Sequence, residues 1–204
     1  SVLLISYPKL NYLAHIFLSG DNDLLKIGNF LGDFVRSKDQ KNYHPQIQKG
    51  INLHRYIDHY TDTHAIVKKS KIRLRPKFGH YAPVIVDMYY DHFLALNWSK
   101  YAKVELEDFT YHFYNLTEKN KSILPEKAHH ILYYMKRDNW LYEYRTLKGI
   151  GKALIGMSRR TKFVSKMESA IFELEENFSE YQKDFNCFFP KLRADINNYI
   201  TTQL

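Results

Sequence analysis

The sequence predicts an all-α protein folded as a single-domain helical bundle, and three observations carry that reading. Only eight glycines and six prolines interrupt 204 residues, which leaves long stretches without a breaker. Most windows repeat apolar residues at three- and four-residue spacing, the period of one helix face. Runs that alternate residue by residue, as a half-buried strand requires, are few. The length suits one contiguous core.

The spacing places helices at about 10–18, 22–36, 45–60, 62–74, 82–98, 105–120, 125–146, 147–158 and 162–202. Asp21 stands ahead of Leu24, Leu25, Ile27 and Leu31 as an N-cap, and Pro83 suits a first helical turn. Residues 72–81, rich in Arg and Lys and containing Pro76 and Gly79, read as a basic loop. Residues 1–10 read as an N-terminal extension without assigned function, and 11–204 as one domain. No Ser/Gly-rich linker or internal repeat divides it.

Composition removes several classes. With 45% hydrophobic and 25% charged residues the chain matches the globular norm, which excludes disordered and collagen-like structure. The lone cysteine, Cys187, excludes an internal disulfide and a cysteine-clustered zinc site, and points to a reducing, cytoplasmic compartment. The longest uncharged run, 10–20, is too short to span a membrane. The opening residues lack the basic flank of a signal peptide. A net charge of +8 favours an acidic partner, whether nucleic acid, membrane surface, acidic protein or phosphate ester.

Two stripes carry polar residues where a core face is expected. On 45–60, Ile47, Ile51, His54 and Asp58 follow one another at helical spacing, and Asp62 extends the row if the helix continues. On 82–98, Val84, Asp87, Asp91, Leu94 and Trp98 repeat the pattern, with His92 beside Asp91. Carboxylates on an apolar face need a cation or hydrogen-bond donors. A divalent ion satisfies both helices, taking oxygen from Asp and nitrogen from His. Pairing to His, Lys or Arg of a neighbouring helix satisfies them equally. Asn11 and His15 share a third face, Asn29 and Asp33 a fourth, and the glycines at 28 and 32 permit close backbone approach there. Arg159 and Arg160 form a basic cluster that could seat a phosphate or simply end a solvated helix.

These residues, read in order, resemble the acyl carrier protein phosphodiesterases. The resemblance is carried by Asn11-Tyr12-Leu13-Ala14-His15, by Gly28 to Arg36, by Gly50 to Asp58 with Thr61-Asp62, by Ala82 to Asp87, and by Tyr90-Asp91-His92-Phe93-Leu94 with Trp98. Asn139-Trp140-Leu141, Tyr144 and Gly156-Met157-Ser158-Arg159-Arg160 extend it. It implies an all-α fold distantly similar to HD-type metal phosphohydrolases. It also implies hydrolysis of the phosphodiester joining 4'-phosphopantetheine to a serine of acyl carrier protein, with a divalent ion, Mn2+ before Mg2+. The chain has no adjacent His-Asp pair, so HD-type ligands do not transfer by pattern.

The resemblance supports Asp33 as an essential acid. His54, Asp58, Asp87 and Asp91 are the expected metal set, with His15, Asp62 and His92 as further candidates. Asp33 or Asp62 would orient or deprotonate a water, and Arg36, Arg55 or Arg159 would clamp the phosphate. Arg73, Arg75 and Lys77, with Arg159 and Arg160, are expected to meet an acidic carrier, and nucleic acid is disfavoured as partner. Two rivals stand beside this: an HD-like phosphohydrolase acting on a nucleotide or other small phosphodiester, and a non-catalytic basic module binding nucleic acid.

Overall fold

A computed structural model describes residues 11–161 and 163–204. The extension expected at 1–10 lies outside the described residues. The chain forms α1 (Tyr12–Leu18), α2 (Asp23–Leu31), α3 (Pro45–Thr63), α4 (Ala65–Phe78), α5 (Ala82–Leu96) and α6 (Leu106–Lys119). It continues through α7 (Glu126–Arg137), α8 (Trp140–Glu143), α9 (Leu147–Ser158), α10 (Ala170–Glu176) and α11 (Phe178–Gln203). Short 3-10 turns join several of them, and no strand occurs among the described residues. One apolar cluster runs through the bundle.

Helix α5 is the axis. Its residues from Ile85 to Ala95 are buried all round, as expected of a helix surrounded by others. α1, α4, α9 and α11 pack on it. α11 contributes Tyr181, Phe185, Phe188 and Phe189, with Phe185 and Phe189 stacked at 5.0 Å. The closest helix pair is α2 with α3, and glycine makes it possible. A Cβ on Gly28 would lie 2.1 Å from the Ile47 carbonyl oxygen, and one on Gly50 would lie 2.4 Å from that of Leu25. This crossing lays the second half of α3 beneath the end of α2, where the polar residues gather.

Several boundaries differ from the sequence reading, each for a local reason. The N-cap of α2 is Asn22, not Asp21, with its Oδ1 accepting from Leu25 N at 3.0 Å. The expected 22–36 helix stops at Leu31, so Asp33 projects from a turn. The expected 125–146 helix breaks at Asn139, which takes a left-handed φ of 45° that Asn tolerates better than most residues. The expected 162–202 helix becomes two, separated at Asn177, whose amide donates to Glu173 Oε1 at 2.8 Å. The basic loop expected at 72–81 is mostly helix. α4 runs to Phe78 through the exposed Pro76, because Leu74 and Phe78 anchor in the core, and it ends at Gly79 with φ 53°.

Candidate metal centre

Four side chains from three segments meet between α1 and the α2–α3 pair. α1 supplies His15, α3 supplies His54 and Asp58 one turn apart, and the turn after α2 supplies Asp33. Gly32 lets that turn close over α3, since a Cβ there would lie 2.2 Å from His54 Cγ. The two imidazoles stack with centroids 4.2 Å apart. His15 Nε2 lies 3.4 Å from Asp58 Oδ1, and His54 Nε2 lies 3.5 Å from both Asp58 Oδ2 and Asp33 Oδ1.

One residue orients both rings. Asn29, fully buried on α2, accepts from His15 Nδ1 through its Oδ1 at 2.8 Å, while its main-chain carbonyl accepts from His54 Nδ1 at 2.9 Å. Its amide nitrogen donates to the His15 carbonyl and to Ser19 Oγ, which fixes Oδ1 as the acceptor. Each Nδ1 therefore carries the proton, and each Nε2 is presented to the carboxylates, the arrangement by which proteins aim histidines at a metal.

The charges are tightly coupled. Burial and the neighbouring His54 lower the His15 pKa. For His54 burial acts downward too, but the Asp33 and Asp58 carboxylates outweigh it and raise the pKa to about 9. Burial would raise that of Asp58, and the two imidazoles instead hold it well below the usual carboxylate range. Asp33 Oδ2 is buried without a hydrogen-bond partner among the described residues.

His15, His54 and Asp58 offer donor atoms within 4.8 Å of one another, a group able to hold a metal ion. Two donors each about 2.1 Å from one tetrahedral ion stand about 3.4 Å apart. The His–carboxylate separations of 3.4 and 3.5 Å match that spacing.

The other expected site residues lie differently. Asp91 caps α1: its two oxygens accept from Leu13 N and Ala14 N, both at 2.9 Å, so it positions the helix that bears His15. Burial and the nearby Asp87 raise the Asp91 pKa even so. His92 Nδ1 donates to the Tyr144 carbonyl at 2.7 Å, and burial lowers its pKa. Neither Asp87, Asp91 nor His92 belongs to the three-residue group. α3 does continue past Asp62, whose carboxylate accepts from Lys71 of α4 at 2.7 Å.

Arg36 pairs with Asp39 and Arg55 donates to Gln40, so among the described residues neither guanidinium binds a cluster carboxylate. Arg73 is held by Glu180 and Asp184 of α11 and lies over the Tyr181 ring, while Lys77 pairs with Glu173 and Glu176. Arg75 and Arg159 are exposed, and Arg160 lies 5.3 Å over the Trp140 ring.

The profile of the acyl carrier protein phosphodiesterases matches residues 10–192. The chain belongs to this family. Among curated relatives of that name, the protein of Photorhabdus laumondii is 31% identical over 190 residues, covering 93% of this chain and 96% of the relative. That of Yersinia enterocolitica is 30% identical over 186 residues, covering 91% and 96%. That of Escherichia coli O139:H28 is 28% identical over 193 residues, covering 93% and 98%. No solved structure gives a significant match.

Most of the family motifs quoted from the sequence map onto α1, the end of α2, α3 and α5, the elements that build or brace the cluster, and the rest onto α8 and the end of α9. From sequence alone Asn29 has a helix face but no role, and Ser19 has neither. Their signal was faint: a buried Asn four residues ahead of an Asp, whose partner His15 lies fourteen residues away.

Proposed function

We propose that this chain hydrolyses the phosphodiester linking 4'-phosphopantetheine to a serine of acyl carrier protein. The products are the freed prosthetic group and apo-carrier. His15, His54 and Asp58, with Asp33 beside them, hold the divalent ion the reaction uses. The observation that carries this is the convergence of two Nδ1-anchored imidazoles and the Asp58 carboxylate at metal-ligand spacing, with Asp33 3.5 Å from His54, in a chain of this family.

A bound ion supplies Lewis acidity there, lowering the pKa of a water and offsetting the charge of the phosphate oxygens. Two imidazole nitrogens with a carboxylate suit Mn2+ or another first-row ion better than Mg2+, which prefers oxygen donors. Asn29 keeps both rings in the tautomer that leaves Nε2 to bind. Asp33 Oδ2, buried and without a hydrogen-bond partner among the described residues, accepts a proton from the attacking water. The new P–O bond forms as the P–O bond to serine breaks, and the serine oxygen leaves protonated, so water is the sole co-reactant.

Lys71 and Arg73, mostly buried and paired within the chain, offer little to a nucleic-acid backbone, which weighs against the reading as a simple nucleic-acid-binding module. The test is an intact-mass assay of holo-carrier with metal-depleted protein, with and without added Mn2+. Loss of the prosthetic group only when Mn2+ is present supports the reading. Equal turnover without metal refutes the ion's role, and turnover of small phosphodiesters but not of holo-carrier refutes the substrate.

A further inference from the structure

A second concave feature lies beside the cluster. A groove of about 910 Å³ opens between α7, α8 and α9. Local backbone geometry creates it. Asn139, in its left-handed conformation, turns the chain between α7 and α8. Gly149 brings α9 against α8, where a Cβ would lie 2.0 Å from the Glu143 carbonyl oxygen. Gly156 lies beneath the Arg160 side chain, where a Cβ would stand 3.4 Å from Nη2, in ordinary contact with the guanidinium that crosses to the Trp140 face.

The lining is cationic and aromatic. Arg137, Lys152, Arg159 and Arg160 face two acids, Asp138 and Glu143, and Arg137 is already paired with Asp138. Arg159 and Arg160 pair with no carboxylate among the described residues, and Trp140 and Tyr134 supply flat apolar walls. An anion on an apolar, flexible chain complements such a surface, whereas a bare ion leaves the aromatic walls uncovered.

The groove also adjoins the cluster. Tyr144 lines it, its carbonyl accepts from His92, and the neighbouring Asp91 caps the α1 turn that bears Tyr12 and His15. Tyr12 in turn stacks on Phe34, the residue after Asp33, with ring centroids 6.5 Å apart. The Tyr12 hydroxyl is buried and has no hydrogen-bond partner among the described residues, so a polar atom is left open on the helix that bears His15.

We propose that this groove seats the phosphate-bearing flexible arm of the substrate, with Arg160 at the inner, phosphate end and the chain running outward over Trp140. This rests on the phosphodiesterase reading above and names the subsite that reading lacks. The carrier would then deliver its arm along α8 and α9, and the internally paired Arg73 and Lys77 would have no part in binding it.

The test uses Trp140 as its own reporter, since the only other tryptophan is Trp98. In Trp98→Phe, titration with 4'-phosphopantetheine is expected to change Trp140 emission saturably, and Arg160→Gln to weaken that response about tenfold. In the otherwise unchanged protein, Arg160→Gln and Trp140→Leu are expected to raise KM for holo-carrier about tenfold with bound metal undiminished. This second measurement stands if Trp98→Phe does not fold. Unchanged KM in both variants overturns the proposal, as does an emission response reproduced in full by inorganic phosphate alone. If the unmodified protein fails to cleave holo-carrier, the phosphodiesterase reading falls, while the emission titration still reports on the groove.

Discussion

Removing the Asn29 side chain separates the orientation of the histidines from their identity. In Asn29→Ala the ligand atoms remain, but His15 Nδ1 loses its 2.8 Å acceptor. The His15 carbonyl keeps the 2.9 Å bond from Ser19 Oγ, and His54 keeps the main-chain carbonyl of residue 29. One buried imidazole N–H is therefore orphaned outright, a loss of about 1–3 kcal/mol in stability.

Loss of a partner that fixes a ligating histidine lowers metal affinity about 10–100-fold, or roughly 1.4–2.7 kcal/mol. Calorimetric titration with Mn2+ and thermal unfolding with and without the ion read the two effects apart. Asn29→Asp supplies a control: it keeps an acceptor for His15 Nδ1 but loses both amide donations and buries a charge. It is expected to recover affinity more than stability. A folded Asn29→Ala protein that binds Mn2+ within about twofold of the unmodified chain would refute the claim that Asn29 aims these rings.

Asp91→Ala leaves the amides of Leu13 and Ala14 without acceptors and should destabilise by about 2–4 kcal/mol in denaturant unfolding. A normal unfolding curve with complete loss of metal would instead mark Asp91 as a ligand. Arg73→Ala should cost about 1–3 kcal/mol, because among the described residues buried Asp184 keeps Lys69 and Ser70 alone, and should leave KM for the carrier unchanged. A raised KM with unaltered stability would return Arg73 to the docking surface.

His54, with its pKa raised to about 9, is protonated at neutral pH in the metal-free protein, so an ion must displace that proton. Apparent Mn2+ affinity should climb about tenfold per pH unit from 7 towards 9 and then level off, and a flat profile would contradict the coupling. The same shift stabilises the metal-free fold fully below the ordinary histidine pKa of about 6.5, and that contribution is lost as pH rises through about 9. Unfolding at pH 6.5 and 9.5 checks it, with lower stability expected at the higher pH.

Periodicity made the helices and their polar faces legible, yet it could not say what each face meets. The rows through His54–Asp58 and Asp87–Asp91 look alike in sequence, with acids among large apolar residues. In the fold the first meets a histidine of α1 and the second meets the backbone amides that open α1. Both are sound ways to satisfy a buried carboxylate, and only tertiary placement distinguishes them.

The same holds for the basic residues of α4. Arg73 and Lys77 suggested a docking surface because their partners, Glu173, Glu180 and Asp184, lie about a hundred residues further on. Glycines were more informative. Gly28 and Gly32 were expected to allow close approach, and they do so against Ile47 and His54. The helix end that frees Asp33 was missed because apolar spacing continues through Phe34 and Val35.

The most direct measurement is an anomalous-scattering map from a crystal of the chain grown with Mn2+. The expected result is a peak within bonding distance, about 2.2 Å, of His15 Nε2, His54 Nε2 and an Asp58 oxygen, with Asp33 beside it. A peak at Asp87 and Asp91 instead, or none at this cluster in a protein that cleaves holo-carrier, would contradict the assignment.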